Sequence, residues 1–173
     1  LSSESSWASR YLELDRAKTV HRSLELPGSD HRLLVDPATG DVWMFAQCGS
    51  GDRIGAFALS SAGVCAARIS AQTTLVDPVG WPDTVLEDVA VGADGTIALL
   101  GYVSTDTNVG GHEIPSPTSL DRKTQFLARF DPNTGTLPWA LKVANHRWDV
   151  ATSMAVGDDG SIFVVGTIAG GAQ

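Results

Sequence analysis

The 173-residue chain has little cysteine, methionine, tyrosine or positive charge, and each shortage excludes something. Two cysteines, with no Cys-x-x-Cys, cannot build a dense disulfide framework or a four-thiolate metal site. Twelve Lys and Arg stand against twenty Asp and Glu, giving a formal charge of −8 and a pI of about 4.7. The basic residues are scattered rather than striped, which disfavours a nucleic-acid partner. No apolar run approaches the ~18 residues of a membrane span, and the first residues lack the charged-then-apolar layout of a signal peptide. The chain as given is therefore expected to be soluble, with any signal peptide or anchor on sequence beyond it. H-E-x-x-H, G-x-S-x-G and G-x-x-x-x-G-K-[ST] are all missing, as is any long stretch of helical periodicity.

Glycine is plentiful, at 18 residues, and three glycines open the same phrase. The copies read Gly40-Asp41-Val42-Trp43-Met44-Phe45-Ala46-Gln47, Gly95-Thr96-Ile97-Ala98-Leu99-Leu100-Gly101-Tyr102 and Gly160-Ser161-Ile162-Phe163-Val164-Val165-Gly166-Thr167. A recurring unit of this kind is a supersecondary element that must stack on its copies to bury its apolar face. Ahead of each glycine stand a tight turn (Asp36 to Gly40, Gly92 to Gly95, Gly157 to Gly160) and a short apolar strand: Leu33 to Val35, Val89 to Val91, Met154 to Val156. A second hairpin precedes each, with first strands at Tyr11 to Asp15, Ala56 to Ser60 and Leu127 to Asp131. The partner strands run from Thr19 to Leu26, Val64 to Ser70 and Leu137 to Val143. Twelve short strands in three four-stranded meanders predict an all-β fold, with units at about 11–47, 55–102 and 126–167 of a single domain spanning 1–173.

Four-stranded units repeated along a chain are the blades of a β-propeller. Asp149 to Thr167, an apolar strand, an Asp/Gly turn and a Val-rich strand ending in Gly-Thr, resembles the SBBP-type bacterial β-propeller repeat. Phe126 to Gly135, followed by Trp139, is similar both to that repeat and to the pyrroloquinoline-quinone-type propeller blade. The likeness is closest in the third unit and weakest in the first, which has no tryptophan between Asp15 and Leu26; Ala67 takes the Trp139 place in the second. The resemblance implies a propeller-like array of three four-stranded antiparallel blades, part of a larger propeller.

In a meander the short turns cluster at one end and the remaining connections at the other. The longer segments, Pro27 to His31, Cys48 to Arg53, Ala71 to Val85, Val103 to Thr124 and Ala144 to Val150, all fall at the second end. Binding residues favour loops held by a rigid scaffold, so the candidate rim residues are Trp81, Asp83, His112, Glu113, His146, Arg147, Trp148 and Asp149. Their aromatic, imidazole and carboxylate groups suit a glycan or peptide site, or a metal or acid/base pair at His112, Glu113 and His146. The competing reading for each is a solvated or loop-packing side chain. Asp149 also reads as a turn cap, and residues 108–117 read equally as a mobile linker. The Asp-rich turns lack the ligand pattern of a calcium loop and read as hairpin turns.

Cys48 and Cys65 either form a disulfide that staples adjacent blades or remain buried thiols. Three units leave an open arc, and Leu1 is not a methionine, so a fragment or processed product is expected. The functional expectation is a non-enzymatic, secreted or cell-surface scaffold, with the periplasm as a further setting. Its partners would be protein or glycan, or other copies through exposed blade ends, with no cofactor. The alternatives are part of a quinone-dependent dehydrogenase-like or hydrolytic propeller enzyme, with the rim residues near the axis, and a purely structural array.

Overall fold

The computed structural model describes residues 9–14, 18, 20–37, 39–70, 72, 74–117, 123–144 and 150–167. In chain order the strands are β1 (Ser9–Leu14), β2 (Val20–Leu26), β3 (Ser29–Val35), β4 (Val42–Cys48), β5 (Arg53–Ile54), β6 (Phe57–Ala58), β7 (Gly63–Ile69) and β8 (Leu75–Pro82). There follow β9 (Thr84–Val91), β10 (Ile97–Val103), β11 (Thr107–Val109), β12 (His112–Ile114), β13 (Thr124–Asp131), β14 (Thr136–Ala144), β15 (Val150–Val156) and β16 (Ile162–Thr167). No described residue is helical. The fold is all-β, as the strand and turn pattern requires.

Two four-stranded antiparallel sheets run in the orders β3-β4-β7-β8 and β9-β10-β13-β14, flanked by the hairpins β1–β2 and β15–β16. These four layers stack face to face in a propeller-like array, and no sheet closes into a barrel among the described residues. Between the two full sheets lies the largest core, built on Trp43, Phe45, Val64 and Trp81 from one side and Ile97, Leu99, Phe126 and Phe130 from the other. A second core, around Met44, Ala46, Cys65 and Ala67, is covered by Tyr11 and Leu24 of β1–β2. A third, around Ala98, Leu100 and Leu127, is covered by Ala151, Met154 and Ile162 of β15–β16. The first strands β3, β9 and β15 lie side by side, whereas β8 and β14 form the far edges, where β11–β12 packs against both.

The sheets cut the chain half a unit away from the sequence repeat. The sheet β9-β10-β13-β14 groups the last two strands of the second unit with the first two of the third, whereas β3-β4-β7-β8 joins the last two of the first unit to the second strand of the next and to β8, so the described residues hold two complete sheets and two hairpins in the place of half sheets. In the second unit, Phe57–Ala58 pairs, among the described residues, only with Arg53–Ile54, and the segment from Ala71 to Val85, expected as a connection, contains the outer strand β8. Pro78, Gly80 and Pro82 disguise that strand. Proline is tolerated there because β8 is an edge and because Asp77, at φ 51°, and Pro78 form a bulge opposite Ala67. Asp15, Thr19 and Ala71 lie outside the described residues.

A bulge recurs in every first strand and explains a small residue in the repeat. The pairing slips at Asp30 and His31 opposite Ala46, at Glu87 opposite Leu100 and Gly101, and at Thr152 opposite Val165 and Gly166. At Gly101 a Cβ would stand 2.4 Å from the Val85 carbonyl oxygen, so the backbone approach there requires glycine.

Side-chain amides tie the first full sheet to the second and the second to β15–β16. Gln47 Nε2 donates to Thr84 O (3.1 Å) and its Oε1 accepts from Leu86 N (3.3 Å). Gln125 makes the tighter pair with β15: Nε2 donates to Ala151 O (2.8 Å) and Oε1 accepts from Ala151 N (2.6 Å). Asp88 Oδ2 adds bonds from Ser153 Oγ and Met154 N, both at 2.9 Å. Replacing Gln125 with Leu leaves a buried N–H and C=O without partners, and we expect urea unfolding to show a loss of about 2–3 kcal/mol. Gln47→Leu, at a half-buried position, should cost less.

Candidate functional site

Each tight turn is closed by its own side chains. Thr39 Oγ1 donates to Asp36 Oδ2 (2.9 Å), and Gly40 N donates to Asp36 O (2.7 Å). Asp94 accepts from Thr96 through both oxygens, from N at 2.9 Å and from Oγ1 at 2.7 Å. Asp131 Oδ1 accepts from Asn133 N at 2.9 Å. These donors favour the charged form, chiefly the Thr96 N–H for Asp94 and the Asn133 N–H for Asp131, so both carboxyls are held below the usual carboxylate range. They stay ionised at neutral pH, and acid must go below that range to release their turn bonds.

Stacking brings the turns of the two full sheets together at one end of the array, and two adjoining clefts open between them. The first, of about 480 Å³, is lined by Asp36, Asp41, Arg68, Asp77, the edge of Trp43 and the turn from Pro132 to Gly135. The second, of about 400 Å³, shares Asp36, Thr39, Pro132 and Asn133 and adds Asp94, Arg129 and Asp131. Arg68 clamps one wall: Nη2 and Nε reach Asp77 Oδ2 at 2.6 and 3.0 Å, and Nη1 reaches Asp41 Oδ2 at 3.3 Å. The bonds Arg68 donates to Asp77, with the charge of Asp41, outweigh the cost of burial and raise the guanidinium pKa. Five carboxylates and two guanidinium groups therefore line the groove that these two adjoining clefts make, and the buried Asp36 belongs to both.

The rim residues expected from the sequence do not converge. Trp81 is buried in β8 with its ring 5.9 Å from Phe130, so it belongs to the core. Asp83, exposed at φ 59°, makes the one-residue turn from β8 to β9, its N–H donating to Ala62 O. His112 places a ring nitrogen 2.9 Å from Leu137 O, and Glu113 accepts from Asn108 Nδ2 at 3.1 Å. Both sit on the β11–β12 hairpin against β14, at the far edge rather than near the axis, and Val109 and Ile114 anchor that hairpin in the main core. His146, Arg147, Trp148 and Asp149 lie outside the described residues. Among the described residues no three of His, Cys, Asp and Glu converge to hold a metal ion.

Of the long segments expected at the end opposite the tight turns, the insertions carrying β5–β6 and β11–β12 do leave that end, whereas Pro27 to His31 runs into β3, Ala71 to Val85 is mostly β8 and the start of β9, and residues 145–149 lie outside the described residues. That end holds a hollow of about 430 Å³ beside Gly28, Gln47, Cys48 and Asp52. It also holds Glu87, whose carboxyl pKa is raised by burial against the pull of Gln125 and Lys123. The groove at the trimmed end escapes a reading of the sequence because each aspartate reads locally as a turn former. Its only sequence signal is that acidic turns recur at matching places in the repeat.

Cys48 and Cys65 are joined. Cys48 lies opposite Gly63 and Cys65 opposite Ala46, so the bond links neighbouring strands of one sheet and closes the 49–62 insertion. It does not staple two blades.

No family model and no curated protein matches the chain.

Proposed function

We propose that this chain is a non-enzymatic scaffold of the SBBP-type propeller class that binds a protein segment or a glycan in the groove between the two full sheets. The observation that carries this reading is the groove itself, where stacked turns present carboxylates already fixed by hydrogen bonds from their own turns and from Arg68. Carboxylates held ionised and oriented are good acceptors for ammonium, guanidinium and sugar hydroxyl groups, and poor proton shuttles at neutral pH. The disulfide supports an extracellular or cell-surface setting, since such bonds persist in oxidising compartments. No described helix is long and apolar enough to cross a membrane.

The test is to probe arrays of glycans and of Lys- and Arg-bearing peptides with the 173-residue chain and with its Arg68→Ala variant. Selective hits that weaken at least tenfold in the variant are the expected result. For the peptides, binding should fall as salt rises, because screening reaches exposed charges first. An array without hits, or hits indifferent to Arg68, would remove the groove from consideration.

A further inference from the structure

The two arginines of the groove are used differently. Arg68 is committed to the protein itself, bonded through Nε and both terminal nitrogens to Asp77 and Asp41. Arg129 lines the second cleft near the end of β13, is exposed, and makes no hydrogen bond or ion pair with a described residue. The Thr96 bonds and, after them, the charge of Arg129 keep Asp94 ionised, yet both Asp94 oxygens are engaged by Thr96 and the guanidinium bonds to neither. The Arg129 backbone is held in the middle of its sheet, opposite Ala98 of β10 and Trp139 of β14. A side chain carried on a paired strand is placed more precisely than one on a loop.

Acceptors are distributed in the opposite sense. Arg68 takes Oδ2 of Asp41 and Oδ2 of Asp77, and neither Oδ1 accepts a bond from a described residue. The first cleft therefore offers carboxylate oxygens oriented by a cation already in place, whereas the second offers a guanidinium fork with no anion on it. Asp36, Thr39, Pro132 and Asn133 belong to both clefts, so one ligand lying across them meets both ends. A free guanidinium is best satisfied by a carboxylate, which it can grip through two parallel bonds. The rest of the groove asks for positive charge, since its carboxylates outnumber its guanidinium groups five to two. An acidic glycan would set repeated negative charge against that surplus, and a neutral one would leave the Arg129 charge unmatched.

We propose that the groove selects a basic protein segment carrying one acidic side chain, with Arg129 as the specificity-determining residue. The acidic group pairs with Arg129 in the second cleft, and a flanking Lys or Arg of the segment reaches Asp41 and Asp77 in the first. This rests on the reading of the groove as a binding site, and adds the class of ligand and the part of it that each cleft takes.

The experiment is isothermal titration of the 173-residue chain with acetylated, amidated Gly/Ser peptides that hold a Glu beside a pair of Lys at a series of spacings. Each peptide has counterparts with Gln or Lys in place of the Glu, and cellohexaose and hexagalacturonate are the neutral and acidic glycan probes. The Glu peptides should bind tightest, losing about tenfold or more when Glu becomes Gln or when the protein carries Arg129→Ala. Arg129→Glu, with unchanged circular dichroism, should reverse the order, so that the Lys counterpart outcompetes the Glu peptide. Damage to the fold would weaken both and could not exchange them. Peptide binding that Arg68→Ala weakens but that ignores Arg129 or the peptide Glu would overturn this selectivity and leave the groove as a binding site, and so would binding of the glycans alone. Binding by none of the probes would overturn the selectivity together with the reading on which it rests.

Discussion

Phe130→Ala should unfold at a much lower denaturant concentration than the parent chain, with a loss of about 3–5 kcal/mol, the range for removing a fully buried aromatic ring. Phe130 is completely buried, and Trp43, Phe45 and Trp81 of the facing sheet surround it at centroid distances of 5.0, 5.5 and 5.9 Å. All three contacts are edge-to-face, a geometry worth about 0.5–1.5 kcal/mol per pair beyond burial. The ring fills the centre of the interface between two sheets, so alanine leaves a cavity that strand backbones cannot collapse to fill. Phe130→Leu keeps most of the volume and should cost about 1–2 kcal/mol. Guanidinium unfolding followed by tryptophan fluorescence reads both variants, because Trp43 and Trp81 line the same contact. A loss below about 1 kcal/mol for the alanine variant would show that this cluster does not hold the sheets together.

Replacing Cys48 and Cys65 together by alanine should cost about 2–4 kcal/mol, because the bond closes a loop with a sequence separation of 17 and so restricts the unfolded chain. Both cysteines are buried against Met44, Ala46 and Ala67, and alanine keeps that environment apolar. Serine, with a hydroxyl in the same place, should be worse. Since the bond lies within one sheet, hydrogen exchange in the double-alanine variant should quicken first in the 49–62 insertion and leave the interface around Phe130 protected at the remaining global stability. Loss of protection between the two full sheets ahead of the insertion would contradict that assignment.

The hairpins are legible in the sequence because turn chemistry is local. Asp36 with Gly40, Asp94 with Thr96, and Asp131 with Asn133 close their turns with bonds between residues two to four apart. By contrast, β8 is hidden, since Pro78, Gly80 and Pro82 carry the residue types of a connection, and only its pairing with β7 makes it a strand. Trp81 and His112 are of types that permit binding chemistry, but burial against Phe130 and a bond to a backbone carbonyl give them packing roles.

Composition and periodicity suffice to make this protein all-β, acidic and built from hairpins, because alternation, turn residues and charge act over a few neighbouring residues. Which hairpins share a sheet, where the cysteine bond runs and where a groove opens emerge only once the layers are assembled. Strand pairing and stacking join residues far apart in the chain, and their free energy comes from faces buried together rather than from any local preference.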